Sequence, residues 1–179
     1  FAAKAVEEAP LDIFAEGGVS VKDFGGRLTA GGIAKNEGEY VSNFGDGATV
    51  TIADIDLTDV TSMTIVGNSG AANGVKVEMR LDSEVGQLLG TFTADGLPED
   101  GWGKTPWDLS TIEIAEVSGV QTICLVSVGG GMNMTAMKFA AQAPSMGDAT
   151  GYFMMALMVL PVAMVACMVV LKKKQESFC

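Results

Sequence analysis

Any chemistry in this 179-residue chain must be done without histidine, because the chain has none. That removes the commonest general base, the usual zinc sites and the usual chlorophyll or haem axial ligand. Ser-His-Asp and Cys-His nucleophile systems are excluded with it. Of the cysteines Cys124, Cys167 and Cys179, only Cys124 lies in the globular part, so that part cannot close an internal disulfide. Cys124 falls in an apolar run and is expected in the core. Carboxylates remain. Asp54, Asp56 and Asp59 follow a β run and read as a solvated strand end rather than a metal site. Glu99-Asp100 and Asp108 flank the tryptophans and could pair, but glycoside hydrolysis needs two carboxylates at a set separation, which nothing in the sequence fixes. Gly129-Gly130-Gly131 is not a phosphate loop, since no helix or lysine follows it; it reads as a hairpin apex feeding Asn133. Asn133-Met134-Thr135 is a glycosylation sequon. No enzyme is expected from this inventory.

The charge is as uneven as the chemistry is sparse. Residues 1–150 carry 21 acidic and 8 basic residues, a balance of −13, and residues 151–179 carry one Glu and three Lys, a balance of +2. A body this acidic repels phosphate backbones, so no nucleic-acid partner is expected. At 48% hydrophobic residues the chain is not of the disordered class.

The elements that must position these groups read as all-β. Turn-forming pairs recur along the first 150 residues, among them Gly31-Gly32, Asp46-Gly47, Asn73-Gly74 and Asp95-Gly96. Val75–Leu81 alternates apolar on odd positions and charged on even ones, the mark of a half-buried antiparallel strand facing the core through Val75, Val77, Met79 and Leu81. Further strands are expected at 48–57, 62–66, 88–93, 111–115, 120–128 and 137–140. No segment before 150 sustains a helical period. Short strands at this spacing predict an antiparallel β-sandwich of Greek-key or jelly-roll type.

Three motifs in order then resemble the family 6 carbohydrate-binding modules: VEMRLDSEVGQLLGTF, GWGKTPWDLSTIEI and SGVQTICLVSVGGGMNMTAMKF. They match that family's LDS-x-x-G-x-LLGT hairpin, its GW-x-x-W loop, and its G-V-x-T strand with an Asn-bearing loop before the last strand. Upstream, Phe14-Ala15-Glu16 stands where the family opens with Glu-Ala-Glu, and Glu39-Tyr40-Val41 with Asn43 to Asp46 resembles its aromatic-bearing loop. The resemblance covers about residues 14–140. It implies a jelly-roll sandwich in which two loop aromatics clamp a sugar and an Asn binds its hydroxyls. Carried over, these are Tyr40, Trp107 and Asn133, with Trp102 as the first Trp of a loop whose gap is five positions here and three in the family. The physics is sound: a sugar's C–H face packs on an aromatic plane, and an amide satisfies hydroxyls. The family's structural calcium site would draw on Glu16, but Thr135 and Ala136 replace the Asp and aromatic expected after the Asn, so half of that ligand set is missing.

The C-terminal part is a different kind of sequence. Tyr152–Leu171 runs twenty residues without a charge and is followed by Lys172-Lys173-Lys174. At 1.5 Å per residue it spans roughly 30 Å, a bilayer's hydrocarbon thickness. The expected organisation is a tail at 1–13, a sandwich at 14–140, a linker at 141–150, a transmembrane helix at 151–171 and a basic tail at 172–179. The positive-inside rule places the tail on the cytoplasmic or stromal side and the sandwich on the lumenal or extracytoplasmic side. Gly151, Ala156 and Ala163 line one helix face suited to close packing, with methionines at its margins. The expected role is a non-catalytic accessory subunit of a larger membrane complex, a photosynthetic supercomplex in a thylakoid membrane foremost, with other membrane subunits, pigments or lipids against the helix and the bilayer around it. The alternative is a membrane-tethered carbohydrate-binding protein of the cell surface or secretory pathway, with a glycan as partner.

Overall fold

The computed structural model describes residues 11–69, 74–94, 106–114 and 117–141. All of them belong to one compact unit, Phe1–Gln142. The span at 152–171, with Gly151, Ala156 and Ala163, lies outside the described residues; among those described, no helix is long and apolar enough to cross a membrane.

The strands are β1 (Val19–Ser20), β2 (Leu28–Gly31), β3 (Lys35–Asn36), β4 (Val41–Gly45), β5 (Thr49–Asp56), β6 (Val60–Asn68), β7 (Lys76–Leu81), β8 (Leu88–Thr93), β9 (Trp107–Glu113), β10 (Val120–Gly129) and β11 (Gly131–Ala141). They form two antiparallel sheets. One runs β3-β4-β11-β6-β9, with β1 pairing on β11 beyond the reach of β4; the other runs β2-β5-β10-β7-β8. A 3₁₀ segment, Val21–Arg27, lies between β1 and β2 and buries Val21 and Phe24; it is kinked at Gly25 and has no counterpart in the periodicity of the sequence.

Alternation does what the sequence pattern demands. Val75, Val77 and Met79 are buried and Leu81 half-buried. On the central strand β10, Ile123 and Leu125 face the same interior, opposite Ile52 and Val50 of β5 on one side and Leu81 and Met79 of β7 on the other. The core also reaches upstream of residue 14, for Ile13 is buried in it and Leu11 packs against it.

One expectation needs correction. Gly129-Gly130-Gly131 is not a hairpin apex, because β10 and β11 belong to different sheets; the glycines form an arch from one sheet to the other. Gly130 has φ +64°, and a Cβ there would lie 2.8 Å from the Gly74 carbonyl oxygen and 2.9 Å from the Val75 backbone. Cys124 is buried with the core residues, at 2% exposure, as expected. It pairs with Thr51 and Arg80, on the strand face opposite Ile123 and Leu125. The Thr51 hydroxyl donates to its sulfur at 3.8 Å. Arg80 is held on this face by Glu78 at 2.6 Å and by the Gly86 carbonyl at 2.9 Å. A central strand reads apolar on both faces when polar stems cover its outer face as well.

Candidate functional site

The sequence-derived sugar residues come from three elements of the same sheet. Tyr40 ends the loop joining β3 to β4. Asn36 Oδ1 accepts from Gly38 N at 2.9 Å, the Tyr40 carbonyl accepts from Glu37 N at 2.9 Å, and the Ser42 hydroxyl donates to Glu37 at 2.8 Å. This side-chain turn presents the phenol ring to solvent, 39% exposed. Asn133 lies within β11 and not in a loop before it. Met132 and Met134 on either side are buried, so strand alternation turns Asn133 to the outer face, where it is half-buried. Trp107 opens β9, which begins four residues earlier than the expected strand.

Register puts Trp107 on one transverse line and Tyr40 and Asn133 one residue to either side of it. Met134 pairs with Val41 on β4 and with Gly67 on β6, and Gly67 pairs in turn with Trp107. Asn133 pairs with Asn68 one step along. Tyr40 and Trp107 are therefore separated by three inter-strand steps, about 14 Å of backbone at ~4.8 Å per step. They do not present the same face. A Cβ on Gly67 would strike the Met132 side chain, which places that position on the interior side. Trp107, opposite Gly67, lines a narrow gap with Gly67, Leu109 and Met132. Its Nε1 is buried without a hydrogen-bond partner, and the ring as a whole is half-buried. Gly67 is the residue that sequence reasoning passed over. By having no side chain it leaves the indole its seat, as cross-strand aromatics do beside sheet glycines.

Neighbouring bonds hold this end of the sheet. The Ser69 hydroxyl donates to the Gly131 carbonyl, tying β6 to the arch. Thr135 Oγ1 donates to the Val66 carbonyl at 3.2 Å. Lys138 Nζ lies 2.7 Å from both carboxylate oxygens of Asp108, across β6. Asp108, a carboxylate considered for acid–base work, is thus half of an ion pair. Trp102, Glu99 and Asp100 lie outside the described residues.

The described residues do not complete a calcium ligand set around Glu16. Glu16 is exposed, and β11 offers the Thr135 hydroxyl, bonded to a carbonyl, where a second carboxylate would be needed. Among the described residues no three His, Cys, Asp or Glu side chains group as metal ligands. The aspartates at the end of β5 and in the turn after it shape the backbone. Asp54 (φ +54°) and Asp59 (φ +64°) take left-handed conformations, and Asp56 Oδ1 accepts from Thr58 N at 3.0 Å. Hydrogen bonds from the Thr58 side chain and then its amide lower the Asp56 pKa.

At the opposite end of the sandwich a larger open cavity of about 420 Å³ lies between the β7–β8 loop and the β9–β10 connection. Among the described residues no aromatic lines it.

No family model matches the chain, and no curated protein matches it. Solved structures do. The chain is similar to a family 6 carbohydrate-binding module from Clostridium cellulolyticum in complex with xylose, at 22% identity over 68% of this chain and 95% of that one, with a TM-score of 0.51. It is similar to a β-1,3-glucan-binding family 6 module from Bacillus halodurans, at 20% identity over 69% and 94%, with a TM-score of 0.50. A third is a CBM36-1 domain of a multidomain xylanase from the hindgut metagenome of Trinervitermes trinervoides, at 21% identity over 70% and 97%, with a TM-score of 0.50. These likenesses establish the fold: an antiparallel sandwich of the carbohydrate-binding-module type.

Proposed function

We propose that the sandwich is a non-catalytic carbohydrate-binding module, displayed on the extracytoplasmic side of a membrane by the apolar span at 152–171. A fold of this type does not by itself fix a function. The observation that carries the reading lies on the outer face of the first sheet, where an exposed phenol, Tyr40, just before β4 stands near an outward amide, Asn133, on β11, the strand paired with it. Tyr40 supplies the stacking plane and Asn133 the hydroxyl partner, while Trp107, half-buried, closes the sandwich at that end. The reading as a subunit of a larger membrane complex, photosynthetic or other, draws on Gly151, Ala156 and Ala163 outside the described residues, so the site favours the glycan.

The full chain should be retained on a gel containing soluble β-glucan or xylan and should mark a defined set of glycans on an array. Tyr40→Ala should cut that binding at least tenfold with its melting temperature nearly unchanged, because the ring is exposed; Asn133→Ala should do the same. Unaltered binding in both variants, or no glycan bound by the native chain, overturns the site. Alkaline carbonate should leave the chain with membranes; release into the supernatant overturns the tether.

A further inference from the structure

Resting on the glycan reading, we propose that Asn43 is a second sugar-binding amide, which joins Asn133 in holding two hydroxyls of the sugar unit stacked on Tyr40. The ladder between β4 and β11 carries one extra residue here. Met132 pairs with Phe44 and Met134 with Val41, so Ser42 and Asn43 together stand opposite the single residue Asn133. This is a β-bulge, a device that re-aims a side chain out of strict alternation. Val41 and Phe44 are both fully buried, so both residues of the bulge turn to the outer face, where Asn43 is exposed and Ser42 half-buried. Asn133 faces outward on the next strand between the buried Met132 and Met134. The two amides are cross-strand neighbours on one face, with β-carbons on the order of 5 Å apart.

The backbone is strained at this point. Asn43 has φ +53°, in the left-handed region that glycine enters without steric cost. Asparagine and aspartate are tolerated in such places because their side chains bond to the nearby backbone. Elsewhere in this chain they do so: Asp12 accepts from Phe14 N at 3.1 Å, Asn36 from Gly38 N at 2.9 Å and Asp56 from Thr58 N at 3.0 Å. Among the described residues no hydrogen bond engages the Asn43 side chain. A strained residue whose exposed amide the fold does not use points to a ligand outside the fold. The hydroxyl next to it is taken, since Ser42 donates to Glu37 at 2.8 Å. Lys35, paired with Ser42 across the β3–β4 hairpin, offsets the charge of Glu37, so the patch offers amides rather than a net charge. An amide donates and accepts at once, which suits neutral hydroxyls, and two amides side by side fix the placement of a pair of them.

The test uses the full chain in phosphatidylcholine nanodiscs, titrated calorimetrically with hexasaccharides of β-glucan and of xylan. Asn43→Gly removes the amide and keeps the backbone, since glycine accepts φ +53° more readily than asparagine. It should leave the melting temperature within a few degrees of the parent and weaken binding at least fivefold. Were Asn43 only a turn former, glycine would replace it fully. Parent affinity in Asn43→Gly therefore overturns the proposal, and where Tyr40→Ala has abolished binding it does so while leaving the glycan reading in place. No binding by the native chain overturns both. A variant that fails to fold overturns the left-handed bulge on which the proposal stands.

Discussion

The arch at Gly129–Gly131 delivers the chain into Asn133, so its seating can be tested by a single methyl group. In Gly130→Ala two costs add. The position has φ +64°, and an L-residue there loses about 1–2 kcal/mol. The new Cβ would also stand 2.8 Å from the Gly74 oxygen and 2.9 Å from the Val75 Cα and N. Those atoms are backbone, and Val75 is locked in the core at 1% exposure, so the strain should resemble overpacking, about 1–3 kcal/mol more. Gly47→Ala is the internal control, since Gly47 has φ +77° with nothing within 4 Å of an added Cβ. It should bear the conformational cost alone. The two variants should therefore differ by about 2 kcal/mol, roughly 1 M in urea midpoint at a slope of about 2 kcal/mol/M. The assay is urea unfolding of the Phe1–Gln142 unit followed by tryptophan fluorescence. Equal midpoints would refute the close approach of the arch to Gly74 and Val75, and with it the sheet-to-sheet crossing that aims Asn133.

Other outcomes follow from the same geometry. Val77→Ala, at a position with 0% exposure, should cost about 2 kcal/mol by transfer and cavity terms; a midpoint within error of the parent would refute its place in the core. Burial raises the Cys124 thiol above its ordinary 9.0, with the Thr51 hydrogen bond opposing. Because the unfolded thiol ionises first, stability should be intact below about pH 9 and fall above it, and Cys124→Ala in the Phe1–Gln142 unit should remove that component from a urea midpoint–pH curve. Cys124, buried and with its thiol pKa raised, should react slowly with an aromatic disulfide reagent at pH 8. Chelation by EGTA should leave the melting temperature unchanged within about 1 °C; a drop of several degrees would reinstate calcium at Glu16.

How much of this was legible depends on how one-sided each strand is. β7 alternates charged and apolar residues and could be assigned, with its inward face, from the sequence alone. β5, β8 and β10 came through for the same reason or through apolar runs. The elements that escaped are short or polar: β2, β3 and β4 carry Thr, Lys, Asn, Ser and Gly, and the first half of β11 follows three glycines. Of these, β2 and β3 are edge strands, stabilised by pairing more than by burial, so their composition resembles that of loops. The arch was unreadable for another reason. Glycines supply left-handed backbone equally to a hairpin and to a crossing between sheets, and only the partners of β10 and β11 tell the two apart.

The same distinction explains what the motifs did and did not reveal about the site. Residue types marked Tyr40, Trp107 and Asn133, but the face each one takes is a matter of register. Asn133 is outward because Met132 and Met134 are inward. Trp107 is turned toward the interior because Gly67 opposite it has no side chain. A clamp of two parallel rings needs roughly 7–8 Å between planes, two van der Waals contacts of about 3.5–4 Å; Tyr40 and Trp107 begin about 14 Å apart on strands spaced at ~4.8 Å and face differently. The described residues thus form one exposed platform with an amide beside it. A platform of that kind contacts one face of a sugar and leaves both neighbouring units of a chain free. On this geometry the glycan reading implies recognition within a polysaccharide, and long oligosaccharides should be retained at least as well as the monosaccharide that composes them.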